Sequence, residues 1–283
     1  MNEAVYSTVS PRLSPFGSEA FSKMRTLVLP VVLGLSLVAG CSVAVSAKTQ
    51  TRFTHDIAAQ SSKADWAGQT ITIDDASINT QGNGSGLTVT GDPTATKVTV
   101  TGRTAAYADS TDQASAELSM TDVLATLVIT EDASGITITC GHGASHGTSN
   151  GSNSGCDALQ ITVPSGTAMK PLPLIVKAGS GDVKVSGTVG SLNVNDNGAG
   201  DIVASHTPAK GTDVVLKGGF GVSLAVPKDF AADVITLSAD KPTDIDTTAF
   251  PDVTSGKGRG MAGTGAASIS LTGGLGTVAL KSQ

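Results

Sequence analysis

From Gln69 onward, apolar and polar residues alternate with a period of two. Residues 70–74 (TITID), 87–90 (LTVT), 97–101 (KVTVT) and 135–139 (GITIT) set β-branched apolar residues against threonine. Residues 160–163 (QITV), 182–185 (DVKV) and 191–194 (SLNV) repeat the pattern. Such alternation places one set of side chains in a core and the other in water, so each stretch predicts a short half-buried strand. Gly, Asn, Asp or Pro bounds each one, as chain reversals require. Two stretches break the pattern. Residues 114–128 (ASAELSMTDVLATLV) fit a short helix, but LATLVIT at 124–130 favours an extended continuation. Residues 42–63 are mixed and polar without clean periodicity, and predict a tether. Helix content is expected to be very low.

The glycines carry a longer period. GSGDV begins at Gly179, GAGDI at Gly198 and GGFGV at Gly218, spacings of 19 and 20, and GGLGT at Gly273 returns the signal near the end. Self-similarity at about 20 residues marks stacked coils, in which each coil buries its apolar face against its neighbours ~4.8 Å away. Glycine suits the corners, where the backbone turns or passes close to the next coil. The predicted fold class is all-β, a β-solenoid over residues 66–283. Composition agrees: aromatics are 3% of the chain and Trp66 is the single tryptophan, so the core must come from Val, Ile, Leu and Ala.

The N-terminal segment reads differently. Lys23 and Arg25 precede the apolar run TLVLPVVLGLSLVAG, residues 26–40, which ends at Cys41. A charged region, an apolar region and small residues before a cleavage point make residues 1–40 a signal peptide, with Met24 an alternative start. The run is short of the ~20 residues a spanning helix needs, and Pro30 interrupts it. VAGC at 38–41 resembles the lipobox of bacterial lipoproteins. That resemblance implies cleavage before Cys41, acylation of Cys41 and stable attachment to a membrane. Residues 41–65 would then be the lipidated cysteine and its tether. Ser42, rather than aspartate, follows the cysteine, which implies sorting to the outer membrane, facing the periplasm or the surface.

Residues 1–40 hold three of the 18 basic residues (Arg12, Lys23, Arg25) and two of the 24 acidic ones (Glu3, Glu19), leaving a net charge of −7 beyond them. No basic cluster appears, so nucleic-acid binding has no electrostatic support. Two cysteines remain, Cys140 and Cys156. An even pair in an exported chain predicts a disulfide closing the loop GHGASHGTSNGSNSG. The fold is expected to survive without that loop.

The order of motifs carries a second resemblance. LQITVP at 159–164, GSGDVKVSG, GAGDI, VSLAVPKDFAADV at 222–234 and the closing GTGAASISLTGGLGTVAL together resemble the putative-adhesin β-strand-repeat family, related to the head domain of putative autotransporter adhesins. The resemblance spans roughly residues 66–281. It implies a β-solenoid, export and frequently a lipid anchor, with an adhesive or structural role. The Cys140–Cys156 loop and the poorly matched coils before Gly179 depart from the family.

Candidate chemistry is sparse. Asp182 and Asp201 hold equivalent slots, and on adjacent coils their carboxylates could form a calcium site or an acid/base pair of the kind that cleaves polysaccharides. Alternatively each hydrogen-bonds its own turn. GGFGV puts Gly221 in that slot and GGLGT puts Gly276 there, so the ladder ends after two rungs and the turn reading is preferred. His142 and His146 lie between the cysteines, but oxidised cysteines leave no metal-ligand set. The matches to G-x-S-x-G at Gly143 and G-x-G-x-x-G at Gly258 lack the helix that either motif needs. Phe220 fills a turn slot that its counterparts fill with Ser180 and Ala199, either capping the coil interior or presenting a sticky knob. The reading is a lipid-anchored envelope module without catalysis or cofactor, meeting a membrane through Cys41, with a glycan or an envelope protein as the candidate further partner. An enzyme using Asp182 and Asp201, or a sensor contacting ligand through the disulfide loop, are the alternatives.

Overall fold

The computed structural model describes residues 50–75, 86–109, 112–144, 153–260 and 265–283. In chain order the strands begin with β1 (Gln50–Ser61), β2 (Thr70–Asp75), β3 (Gly86–Asp92) and β4 (Thr99–Asp109). Helix α1 (Gln113–Thr126) precedes β5 (Val128–Glu131), β6 (Gly135–Cys140), β7 (Asn153–Cys156), β8 (Ala158–Pro164) and β9 (Leu172–Ala178). The long β10 (Asp182–Asp196) leads to β11 (Ile202–Pro208), β12 (Asp213–Lys217), β13 (Val222–Val226) and β14 (Ala232–Ser238). The short β15 (Ile245–Asp246) and β16 (Lys257–Arg259) precede β17 (Ala267–Thr272) and β18 (Val278–Ser282). All belong to one hydrogen-bonded mixed sheet.

Two parallel ladders form its body. One runs β6–β2–β9–β10–β12–β17–β14, using the second half of β10. The other runs β8–β3–β10–β11–β13–β18–β15, using the first half. The register lines up like residues across strands. Leu159, Leu87, Val183, Ile202, Val222 and Val278 form one buried column, and Ile138, Ile73, Val176, Val194, Leu216, Leu271 and Leu237 another. Each such side chain contributes about 1.5–3 kcal/mol of burial, which is how a core with few aromatics can be built.

The all-β expectation holds, with one α-helix. The expected succession of coils does not hold throughout. Chain order is kept only from β9 to β13; β2 and β3 sit between β6 and β9 and between β8 and β10, while β17 and β18 are inserted before β14 and β15. The ends of the ladders are antiparallel: β1 on β4, β4 on β7 and β8, β5 on β6, and β16 on β14.

Two local expectations are corrected. Residues 50–61, placed within the tether, are β1, paired with β4 from Gln50↔Asp109 to Ser61↔Thr99. The buried Asp157 carboxylate locks it there, bonded to Arg52 on β1 and, at 3.2 Å, to Arg103 on β4. Residues 113–126 are helical: Asp112 caps the start by accepting the Ser115 N–H, and Ala116, Met120 and Val123 are buried on one face.

Candidate functional site

Asp182 and Asp201 lie on neighbouring rungs, immediately before Val183 and Ile202. Alternation buries the two β-branched residues and leaves both aspartates exposed at the corner. Asp182 Oδ1 accepts the backbone N–H of Asp201 at 3.2 Å, and Asp201 Oδ1 accepts that of Gly221 at 2.9 Å. Each carboxylate therefore holds the turn of the next rung rather than its own. The slot continues through Gly221 to Thr277, because Val222 pairs with Val278; Gly276 lies one residue earlier than the repeat suggested. Glycine is required on these corners by contact. A Cβ on Gly198 would lie 2.0 Å from Gly179 O, and one on Gly200 2.1 Å from Gly181 O.

Phe220 does not cap the interior. It is 39% exposed on the corner, and its carbonyl accepts the N–H of Gly274 beside the still more exposed Leu275. His206 is the buried histidine. Its Nδ1 accepts from Thr188 Oγ1 at 2.8 Å, and its Nε2 donates to Gly190 O at 3.0 Å. Burial pushes its pKa down to about 4, against those hydrogen bonds, so it is neutral. Asp196 is buried too. Burial raises its carboxyl above the usual range, the Gly198 N–H it accepts opposes this, and the nearby Asp182 charge adds to the rise.

Cys140 and Cys156 are bonded to each other, with Cα atoms 6.2 Å apart and both side chains buried. Neither thus offers a thiolate to a metal. The segment they close is tied to the fold: β7 pairs with β4, and Gly143 N–H donates to Ser154 O. His142 Nδ1 approaches Ser154 O at 3.1 Å, while His146 lies outside the described residues.

A cleft of about 340 Å³ opens where three connections meet. The β1–β2 connection brings Asp65 and Trp66, the β3–β4 turn brings Pro93, Ala95 and Thr96, and the β8–β9 connection brings Ser165, Gly166, Thr167 and Lys170 beyond Pro164. Trp66 N–H donates to Thr96 O at 2.7 Å, and the indole N–H donates to Gln69 O at 2.6 Å. The ring is thereby fixed with its donor occupied. Lys170 is fixed over it: its Nζ sits 4.5 Å from the ring centroid and donates to Trp66 O at 3.3 Å. Its stem crosses Gly68, where φ is +109° and a Cβ would lie 3.3 Å from Lys170 Cε. Thr96 Oγ1 donates to Asp65 Oδ1 at 3.2 Å. The sequence announced Trp66 only as the single tryptophan. Lys170 lies 104 residues away from it, and no local pattern joins them.

No protein-family model and no curated protein matches the chain. Among solved structures it is similar to a putative cell adhesion protein from Clostridium sporogenes, 11% identical, covering 83% of this chain and 99% of that one with a TM-score of 0.42. It is also similar to a putative adhesin from Bacteroides fragilis, 9% identical, with the same coverages and a TM-score of 0.21. No residue or role is carried over from either.

Proposed function

We propose that the chain is a cell-envelope binding module, adhesive or structural, and not an enzyme. Its folded part is a stacked-coil β-solenoid with interleaved rungs, held to the outer membrane by acylated Cys41. The observation that carries the non-catalytic reading is the pair of bonds from Asp182 to Asp201 N–H and from Asp201 to Gly221 N–H. Each of the two carboxylates accepts a backbone N–H of the neighbouring turn through one oxygen. The signal-like segment and VAGC support export and anchoring; the alternating strands support a broad, hydroxyl-rich surface suited to side-on contact.

The test uses the soluble form, residues 42–283, incubated with purified envelope fractions and insoluble polysaccharide. Saturable retention with no new reducing ends is the expected result. Release of reducing ends, lost on Asp182→Asn, overturns it in favour of the enzyme.

A further inference from the structure

We infer that Asp75, Cys140 and Cys156 form a redox-gated Zn²⁺ site, open when the two cysteines are thiols and closed by their disulfide. The inference goes beyond the binding-module reading and does not depend on it.

The register shows how the three residues meet. Ile138 of β6, Ile73 of β2 and Val176 of β9 lie in one buried column. Two residues on, the same inward slots hold Cys140, Asp75 and Ala178. Period-two burial calls for an apolar residue in each of them. β2 instead places a carboxylate there, 2% exposed and directly across the ladder from Cys140. β7 brings Cys156 to the same place. A carboxylate oxygen of Asp75 and the two sulfurs all lie within 4.8 Å of one another, and all three residues are buried.

The donor set selects the ion. Two thiolates and one carboxylate suit Zn²⁺, which takes Cys sulfur at ~2.3 Å and Asp oxygen at ~2.0–2.2 Å in a tetrahedron. Ca²⁺ and Mg²⁺ take oxygen ligands, and Cu⁺ selects soft sulfur ones. Tetrahedral Zn²⁺ needs its two sulfurs ~3.8 Å apart. Cysteines whose Cα atoms lie 6.2 Å apart reach that separation by side-chain rotation once the S–S bond is open. Three protein ligands leave the fourth position to water.

Gating is chemistry at the two sulfurs. A dithiol reductant passes two electrons and two protons to the S–S bond, which breaks into two thiols as the reductant closes its own disulfide. Zn²⁺ then displaces both thiol protons. Exchange with a disulfide oxidant runs the step backwards, removes two of the three protein ligands and releases the ion.

Residues 42–283 hold every described residue and keep Cys140 and Cys156 as their only thiols. This protein is reduced with a water-soluble phosphine, freed of reductant without air, and titrated with Co²⁺ and then Zn²⁺. One equivalent of Co²⁺ should give a thiolate-to-cobalt charge-transfer band and the visible bands of a four-coordinate ion. Zn²⁺ should bleach both, binding with a Kd below ~1 µM. Zinc should also raise the melting temperature of the reduced protein and leave that of the oxidised protein unchanged, a comparison that needs no variant. Asp75→Asn, which keeps the size of the side chain, should weaken zinc binding at least roughly tenfold, and Cys140→Ser should abolish the charge-transfer band. Absence of that band from the reduced protein overturns the inference, as does a reduced melting temperature that zinc does not move. Unchanged affinity in Asp75→Asn overturns it too, because the two cysteines would then be chelating without the buried carboxylate.

Discussion

Asp182 Oδ1 accepts the backbone N–H of Asp201, 19 residues further along the chain, at 3.2 Å. The side chain works across rungs, yet it remains exposed, and water can replace it. Asp182→Ala should therefore cost at most about 1 kcal/mol. Val183→Ala, in the buried column one residue on, should cost about 1–3 kcal/mol through lost burial and a cavity. Urea melts of the two variants compare them; the reverse order would make the carboxylate more than a corner cap.

Gly198→Ala should be worse than either. Its Cβ would fall 2.0 Å from Gly179 O, backbone against backbone, with no flexible side chain to move aside. Loss of more than ~2 kcal/mol is expected in the same melts. A near-neutral result would mean that adjacent corners can separate.

Acid should weaken the fold through His206. Its folded pKa, about 4, lies below the ~6.5 of an unfolded histidine, so the unfolded chain binds the proton first. The contribution is fully present above pH ~6.5 and is lost as pH falls towards 4, up to roughly 3 kcal/mol. Stability measured by urea at pH 7, 6 and 5 should fall, and His206→Gln should flatten that slope.

Loss of the disulfide should cost about 3 kcal/mol on the chain-entropy account. Thermal melts of the Cys140→Ala, Cys156→Ala double variant measure it. Thiol labelling of unreduced, denatured protein of residues 42–283 should find neither cysteine reactive. Deleting residues 141–155 should be harsher, because β7 leaves the sheet with them.

Cys41→Ser should move the protein from membrane to soluble fractions. Retention on membranes after a carbonate wash would contradict anchoring by acylation.

Much of this architecture was legible because strands half-buried in a sheet must alternate. The spacing of GSGDV, GAGDI and GGFGV anticipated that Val183, Ile202 and Val222 would stack. What stayed hidden was mostly long-range. Nothing local says that β2 should lie between β6 and β9, since parallel neighbours share composition whatever their order. β1 was missed for a different reason: as an edge strand it buries only Ile57 among its described side chains, so QTRFTHDIAAQS has no alternation to display. The helix carried its signal in Ala116, Met120 and Val123, but the β-favouring LATLVIT that follows overlapped it. The cleft joins segments that only the finished sheet brings together.

The placement of β17 and β18 bears on when this chain can fold. They occupy rungs flanked by β12 and β14 and by β13 and β15, all made earlier in the sequence. A stack closed by late-arriving strands cannot be zipped strand by strand in chain order. Its interior stays open until residues 267–282 are in place, and loop closure must then be met over long sequence separations. Such a chain commits to its final shape only once β17 and β18 have docked between strands that precede them.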